Sequence, residues 1–306
     1  MNDETDPLGV ELSRAQDSGQ VFAVVDAAHF EYLQDTLTME RFKFDPLYLD
    51  EIDNASIASG PHLVHVTGPS QIAKLREIIG DKPACVWWVW PDELGAGEAI
   101  HRHVRGLNMV EIPKDRFDQD NEDERGPGYE AVLFRHADAD VMTSMLPTLY
   151  LEQVLRLFGE AQQIIAVSRD FNGCRVFAKP EGSHSKPGLL RLEKAQYDLL
   201  GSARQVSTEL RIGNYLRHTV PEKTSHFSDA ELQKIAQDRI EEARGFGVKS
   251  EGALGRWCYL QMITDGQLTQ VAGVRDYMFG QDGVAADQKV SLLLKSLTRA
   301  AISEGR

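Results

Sequence analysis

The sequence is short of the features that mark secreted, membrane-spanning or nucleic-acid-binding proteins. It has only three cysteines, Cys85, Cys174 and Cys258, widely spaced and odd in number. That suits reduced thiols in a cytoplasm better than a disulfide framework. No long apolar run is present: the longest uninterrupted one is "ACVWWVW" at 84–90, far below the ~20 residues a membrane-spanning helix needs. The opening "MNDETDPLGVELSRAQDSGQ" has neither a basic n-region nor an apolar h-region, so no secretory signal is expected. Positive charge is scarce as well, with 33 Lys and Arg against 47 Asp and Glu and a net charge of −14. Partners that demand a basic face, nucleic acid and anionic membrane, are therefore not expected. The deficit is local, since residues 1–60 hold 13 acidic and 3 basic residues, or −10 of that total.

Catalytic signatures are equally sparse. "VTGPSQIAK" has the strand–turn–helix setting of a phosphate loop without its G-x-x-x-x-G-K-[ST] pattern. No G-x-G-x-x-G follows the first apolar run, and "GSHSKPG" is not a G-x-S-x-G nucleophile elbow. The histidines do not assemble into a ligand set by spacing. His101 and His103 are two apart on an expected helix, about 200° around its axis. His62 and His65 fall on opposite faces of an expected strand, and His136-x-Asp138 supplies two ligands at most. "DQDNED" opens like a calcium loop but lacks the sixth-position Gly and has Tyr129 where the closing Glu belongs. The reading is no metal, no cofactor and no enzyme activity.

What is present is a long alternation. "VFAVVD" (21–26), "PHLVHVT" (61–67), "ACVWWVW" (84–90), "EAVLFRH" (130–136) and "QIIAVSRD" (163–170) read as strands, with helical segments between the first four and before the last. Trp87, Trp88 and Trp90 fit a buried strand. That pattern predicts an α/β N-terminal lobe with a mostly parallel sheet flanked by helices. Asn172-Gly173 between two apolar runs predicts an antiparallel hairpin at the end of the lobe. The turn-rich "KPEGSHSKPG" (179–188) marks a boundary, giving domains 1–189 and 190–306. Beyond it the sequence predicts an all-helical C-terminal lobe. One helix opens on the capping box Ser228/Glu231 and carries Leu232, Ile235, Ala236, Ile240, Ala243 and Phe246 on one stripe. Ser250 caps a further helix bearing Leu254, Trp257, Cys258 and Met262.

One segment carries a chemical question. Asp138-Ala139-Asp140 follows a strand, as the catalytic pair of a Mg²⁺-dependent phosphohydrolase does, with Ser168 and Lys179 or Lys186 as further members. The expected second acidic pair after another strand is missing. The simpler reading is a helix entry, with Asp138 as N-cap and Asp140 in the first turn. A further alternative is an α/β scaffold without catalytic or secretory role.

In order along the chain, "VFAVVDAA", "GPHLVHV", "HRHVRGL" and "LFRHADADVMTSMLPTLYLEQVLRLFG" resemble the N-terminal lobe of the type VI secretion effector adaptors, also called effector chaperones. "ARGFGVKSEGALGRWCYLQMITDG" and "KVSLLLKSL" resemble that family's C-terminal helices more loosely. The family's F-R-[FY]-x-D-P-R-V-L motif is met here by Phe134, Arg135, Asp138 and Val141, while Ala139 and Asp140 stand in for its Pro and Arg. The resemblance implies a cytoplasmic, non-catalytic protein that binds a toxic effector and helps load it onto the valine–glycine-repeat spike protein. It singles out Asp26, Phe134, Arg135 and Asp138 as family-motif residues, structural or partner-binding. Arg135 is expected to pair with a nearby acid such as Asp138 and fix the turn.

Overall fold

A computed structural model describes residues 6–48, 54–114, 128–168, 170, 173–182, 188–280 and 283–304. The chain begins with α1 (Pro7–Ser18), β1 (Gln20–Asp26), α2 (Leu33–Met39), β2 (Lys43–Pro46), α3 (Asn54–Ser59) and β3 (Pro61–His65). There follow α4 (Pro69–Ile79), β4 (Cys85–Trp90), α5 (Ala96–Arg105), β5 (Met109–Pro113) and β6 (Tyr129–Leu133). Next come α6 (Ala139–Met145), α7 (Leu151–Phe158), β7 (Gln163–Ser168), β8 (Gly173–Ala178), β9 (Leu190–Arg191) and α8 (Lys194–Thr219). The remainder is α9 (Pro221–Thr224), α10 (Asp229–Gly245), α11 (Glu251–Ile263), α12 (Val274–Phe279) and α13 (Ala286–Glu304). Two units divide it, residues 1–202 and 203–306, the division falling inside α8.

In the first unit, side-chain alternation along the strands builds two cores. Phe22 and Val24 of β1 and Val86, Trp88 and Trp90 of β4 join Ile100 and Val104 of α5, Met142 of α6 and Phe158 of α7. The intervening Val21, Ala23, Val25, Cys85, Trp87 and Val89 point the other way, onto Leu12 of α1, Leu37 of α2 and Leu75 of α4. A period of two along each strand therefore feeds both faces, and helices cover both.

The expected mostly parallel sheet is not what forms. The six-stranded sheet has the order β2-β3-β1-β4-β7-β8, and every neighbouring pair in it is antiparallel. A second sheet, β6-β5-β9, is mixed: β5–β6 is antiparallel and β5–β9 parallel. The physical reason lies in β3, α4 and β4. A strand–helix–strand crossover does make β3 and β4 run in the same direction. However, β1 inserts between them and is antiparallel to both. Alternation sets the direction of successive strands and says nothing about which earlier strand lies between them. The antiparallel hairpin at the end of the lobe does form, with β7 and β8 paired from Ser168↔Gly173 to Gln163↔Ala178. Asn172, "DQDNED", Lys186 and most of "GSHSKPG" lie outside the described residues. Among the described residues no helix is long and apolar enough to cross a membrane.

The second unit is helical. At the start of α10, Ser228 Oγ accepts from the Glu231 N–H at 3.3 Å while Glu231 Oε2 accepts from the Ser228 N–H at 2.8 Å. Leu232, Ala236, Ile240 and Ala243 then face Leu254, Trp257 and Cys258 of α11 in one core. Ser250 caps α11 through the Ala253 N–H. Ser228→Ala is expected to lower the stability of this unit by about 1 kcal/mol, the usual worth of a good N-cap. Denaturant unfolding followed by helical circular dichroism checks it.

Candidate functional site

Asp26 ends β1, and its backbone N–H is fixed by the carbonyl of Ala84 at 2.9 Å. The chain turns there into a short 3-10 segment, Ala27–His29, and Asp26 Oδ1 caps it by accepting from the Ala28 N–H at 3.0 Å. The β6–α6 corner is held in the same way. Phe134 N–H donates to Asn108 O at 2.8 Å, Asp138 N–H to Arg135 O at 3.0 Å, and Ala139 N–H to Pro83 O at 2.8 Å. Asp138 Oδ1 then caps α6, accepting from the N–H groups of Asp140 at 3.0 Å and Val141 at 3.2 Å. Asp138 is thus the N-cap that its position before an apolar helix predicts.

Each aspartate keeps its second oxygen for Arg135. The Asp26 Oδ2 atom accepts from Arg135 Nη2 at 2.7 Å and Nε at 3.3 Å, and Asp138 Oδ2 lies 3.4 Å from the same Nη2. His29 Nε2 is 3.1 Å from that nitrogen. A guanidinium has no acceptor, so His29 Nε2 accepts and its proton sits on Nδ1. Arg135 therefore staples the first turns of two helical segments. The acid expected to hold it, Asp138, is the more distant of the two, and Asp26 makes the shorter contact. Both carboxylates are buried, whereas the Arg135 side chain is 51% exposed. Tyr48 stands beside the cluster, half-buried, with its phenol pushed up by burial and by the Asp26 carboxylate, against the pull of Arg135. Its ring lies where a Cβ at Gly60 would be, 2.5 Å from Tyr48 Cδ2, so only glycine leaves room.

Phe134 turns away from the cluster. Its ring is buried in the core, 5.8 Å from that of His136. His136 is fully buried and donates through Nε2 to Asn108 Oδ1 at 2.9 Å, and Asn108 Nδ2 in turn donates to Leu47 O at 2.6 Å. Burial pushes His136 down to about 3, with His103 nearby adding to the effect. His103, pushed down by burial to about 4, donates to Leu157 O at 2.8 Å. His62 is buried between Gly60 O and Gln34, His101 bonds Pro46 O, and His65 pairs with Asp45.

Asp26, His29 and Asp138 each offer a ligand atom, all within 4.8 Å of one another. Arg135 already bonds or contacts all three, so the positive charge at the centre of the set is the guanidinium. Of the phosphohydrolase candidates, Ser168 Oγ donates to Asp140 Oδ1. Lys179 is turned to the carbonyl of Gly159.

All the cluster residues lie in one stretch that can be compared with known families. Residues 21–156 match the family model described as Domain of unknown function (DUF4123). No curated protein and no solved structure matches the chain. The DUF4123 match runs from β1 into α7 and contains Asp26, His29, Tyr48, Phe134, Arg135 and Asp138. Of these, His29 and Tyr48 are additions to the residues named from sequence. His29 follows Asp26 by one 3-10 turn, a local signal that was available, while nothing local marks Tyr48.

Proposed function

We propose that this chain is a non-catalytic adaptor that binds a type VI secretion effector and helps load it onto the valine–glycine-repeat spike protein. The ordered motifs across the DUF4123 stretch support the reading. The observation that carries it is the disposition of Asp26, Arg135 and Asp138. Both carboxylates are divided between capping a helical turn and holding the arginine, which is how a binding surface is made rigid.

The surface nearby has the composition of a docking site. Arg135 is half-exposed, Tyr32 is 62% exposed, and Lys82 lies 4.5 Å over the Phe30 ring. Phe30, Tyr32, Ile78 and Lys82 line a shallow cavity of about 320 Å³ that His29 also borders. Arginine and tyrosine carry much of the energy in protein interfaces. Tyr32→Ala is therefore expected to leave thermal stability unchanged and to weaken effector capture by roughly tenfold or more, the usual range for such an anchor. Titration of a purified effector against both chains measures it.

The test of the function is genetic. Deleting the gene is expected to remove one effector from the culture supernatant while the spike protein is still exported, and the wild-type gene restores it. Normal export of every effector in the deletion strain would overturn the proposal.

A further inference from the structure

The first unit has a second concavity, of about 490 Å³, between α5 and the β2–β3 edge of the sheet. Its α5 wall is made by Gly97, Glu98, His101, Arg102 and Arg105, one flank of the helix, while Ala96, Ile100 and Val104 face the core. From the sheet come Lys43, Asp45 and His65. Lys43 and Asp45 are two residues apart on β2 and share a face, with Phe44 turned to the opposite core. Lys43 stands opposite His65 in register. Gly97 is needed for the close approach of α5, because a Cβ there would lie 2.7 Å from His65 Cε1.

The chain carries a net charge of −14, yet three cations line this groove. Among the described residues Lys43, Arg102 and Arg105 form no ion pair. Of the two acids in the groove, Asp45 is engaged by His65 at 2.9 Å and Glu98 is exposed. Three unpaired cations therefore converge on one concavity from two walls.

We infer that the groove between α5 and the β2 edge binds an extended, carboxylate-rich segment of a partner protein. The inference rests on the adaptor reading and specifies the chemistry of the segment held. The α5 wall runs from residue 97 to residue 105, about 12 Å of helix at 1.5 Å per residue, which is peptide-sized rather than ion-sized. Arg102 and Arg105 are three apart, so their Cβ atoms are about 5–6 Å apart. Alternate side chains of an extended strand repeat every ~6.6 Å, so acids at i and i+2 meet the two guanidinium forks, each of which suits a carboxylate. Asp45 and Glu98 line the same groove and disfavour a compact polyanion filling it.

The test uses the full chain and a labelled twelve-residue peptide with Asp or Glu at alternate positions, followed by fluorescence anisotropy. Binding is expected for the wild type. It should weaken roughly tenfold to a hundredfold in Arg102→Gln/Arg105→Gln, since each lost charge-assisted contact is worth about a factor of ten. Raising the salt should weaken it as well, and a peptide with Asn and Gln in place of the acids should not bind. Equal binding by both peptides, or by wild type and variant, would overturn the inference. So would displacement of the peptide by pyrophosphate at far lower concentration than by glutamate, which would make the groove a phosphate site. The same variant is then co-expressed with effector and spike. An undiminished complex shows that the groove is not the docking site and sinks this inference while leaving the adaptor reading. Charge-dependent peptide binding without any effector or spike complex keeps the groove and sinks the adaptor reading.

Discussion

Lowering the pH from 7 to 5 is expected to cost the first unit about 4 kcal/mol of stability, well above the effect of any single surface change. His136 and His103 are held at about 3 and about 4 in the folded chain, in both cases chiefly by burial. In the unfolded chain each returns to about 6.5. Between those values the unfolded state binds a proton that the folded state refuses, so stability rises with pH through this window and falls as acid is added. It is complete above about pH 7 and has been lost by about pH 3–4. At pH 5 each histidine accounts for about 2 kcal/mol at 1.36 kcal/mol per pH unit. His62, also lowered by burial, acts in the same direction. Depressed carboxylates such as Asp6 and Asp287 matter only at more acid pH. Guanidinium unfolding read by tryptophan fluorescence measures this, because Trp87, Trp88 and Trp90 lie in the first unit. His136→Gln is expected to flatten the slope by about half, whatever it does to stability at pH 7. A stability that stays constant from pH 7 to pH 5 would show that these imidazoles are not held neutral.

The second large effect is at Arg135. Arg135→Ala leaves Asp26 buried at 6% exposure without its cation, and removes the link between the two capped turns. Loss of one partner from a fully buried pair costs about 3–5 kcal/mol. Arg135 is half-exposed and water reaches the vacated side, so a loss of about 2 kcal/mol is expected. For a unit of this size that corresponds to a fall in Tm of about 4–8 °C. Arg135→Lys keeps the charge without the fork and is expected to recover roughly half of the loss. A scanning calorimetry trace for Arg135→Ala that overlays the wild type would contradict the staple.

These features differ in how far they could be read from the chain. Asp138 as an N-cap is local: an aspartate at a strand–helix corner satisfies backbone N–H groups two and three residues on. The Ser228/Glu231 capping box was legible for the same reason. The partner of Arg135 was not, because Asp26 lies 109 residues away and only the β1 and β6–α6 ends of the fold bring them together. The strand run "CVWWVW" announced burial on both faces, which a three-layer arrangement supplies whether its neighbours are parallel or antiparallel. Its neighbours are both antiparallel, and that depends on the placement of β1, which has no local signature. Short strands such as β2, Lys43-Phe44-Asp45-Pro46, are too brief and too polar to declare themselves, although β2 forms one wall of the basic groove.

The central claim is that the chain works by holding other proteins. The most direct measurement is the mass, by light scattering after gel filtration, of the full chain co-expressed with candidate effector and spike proteins. A single stoichiometric species, with soluble effector yield raised in the presence of the chain, is the predicted result. A chain that elutes alone in moderate salt, with every such partner expressed and folded, would contradict the account.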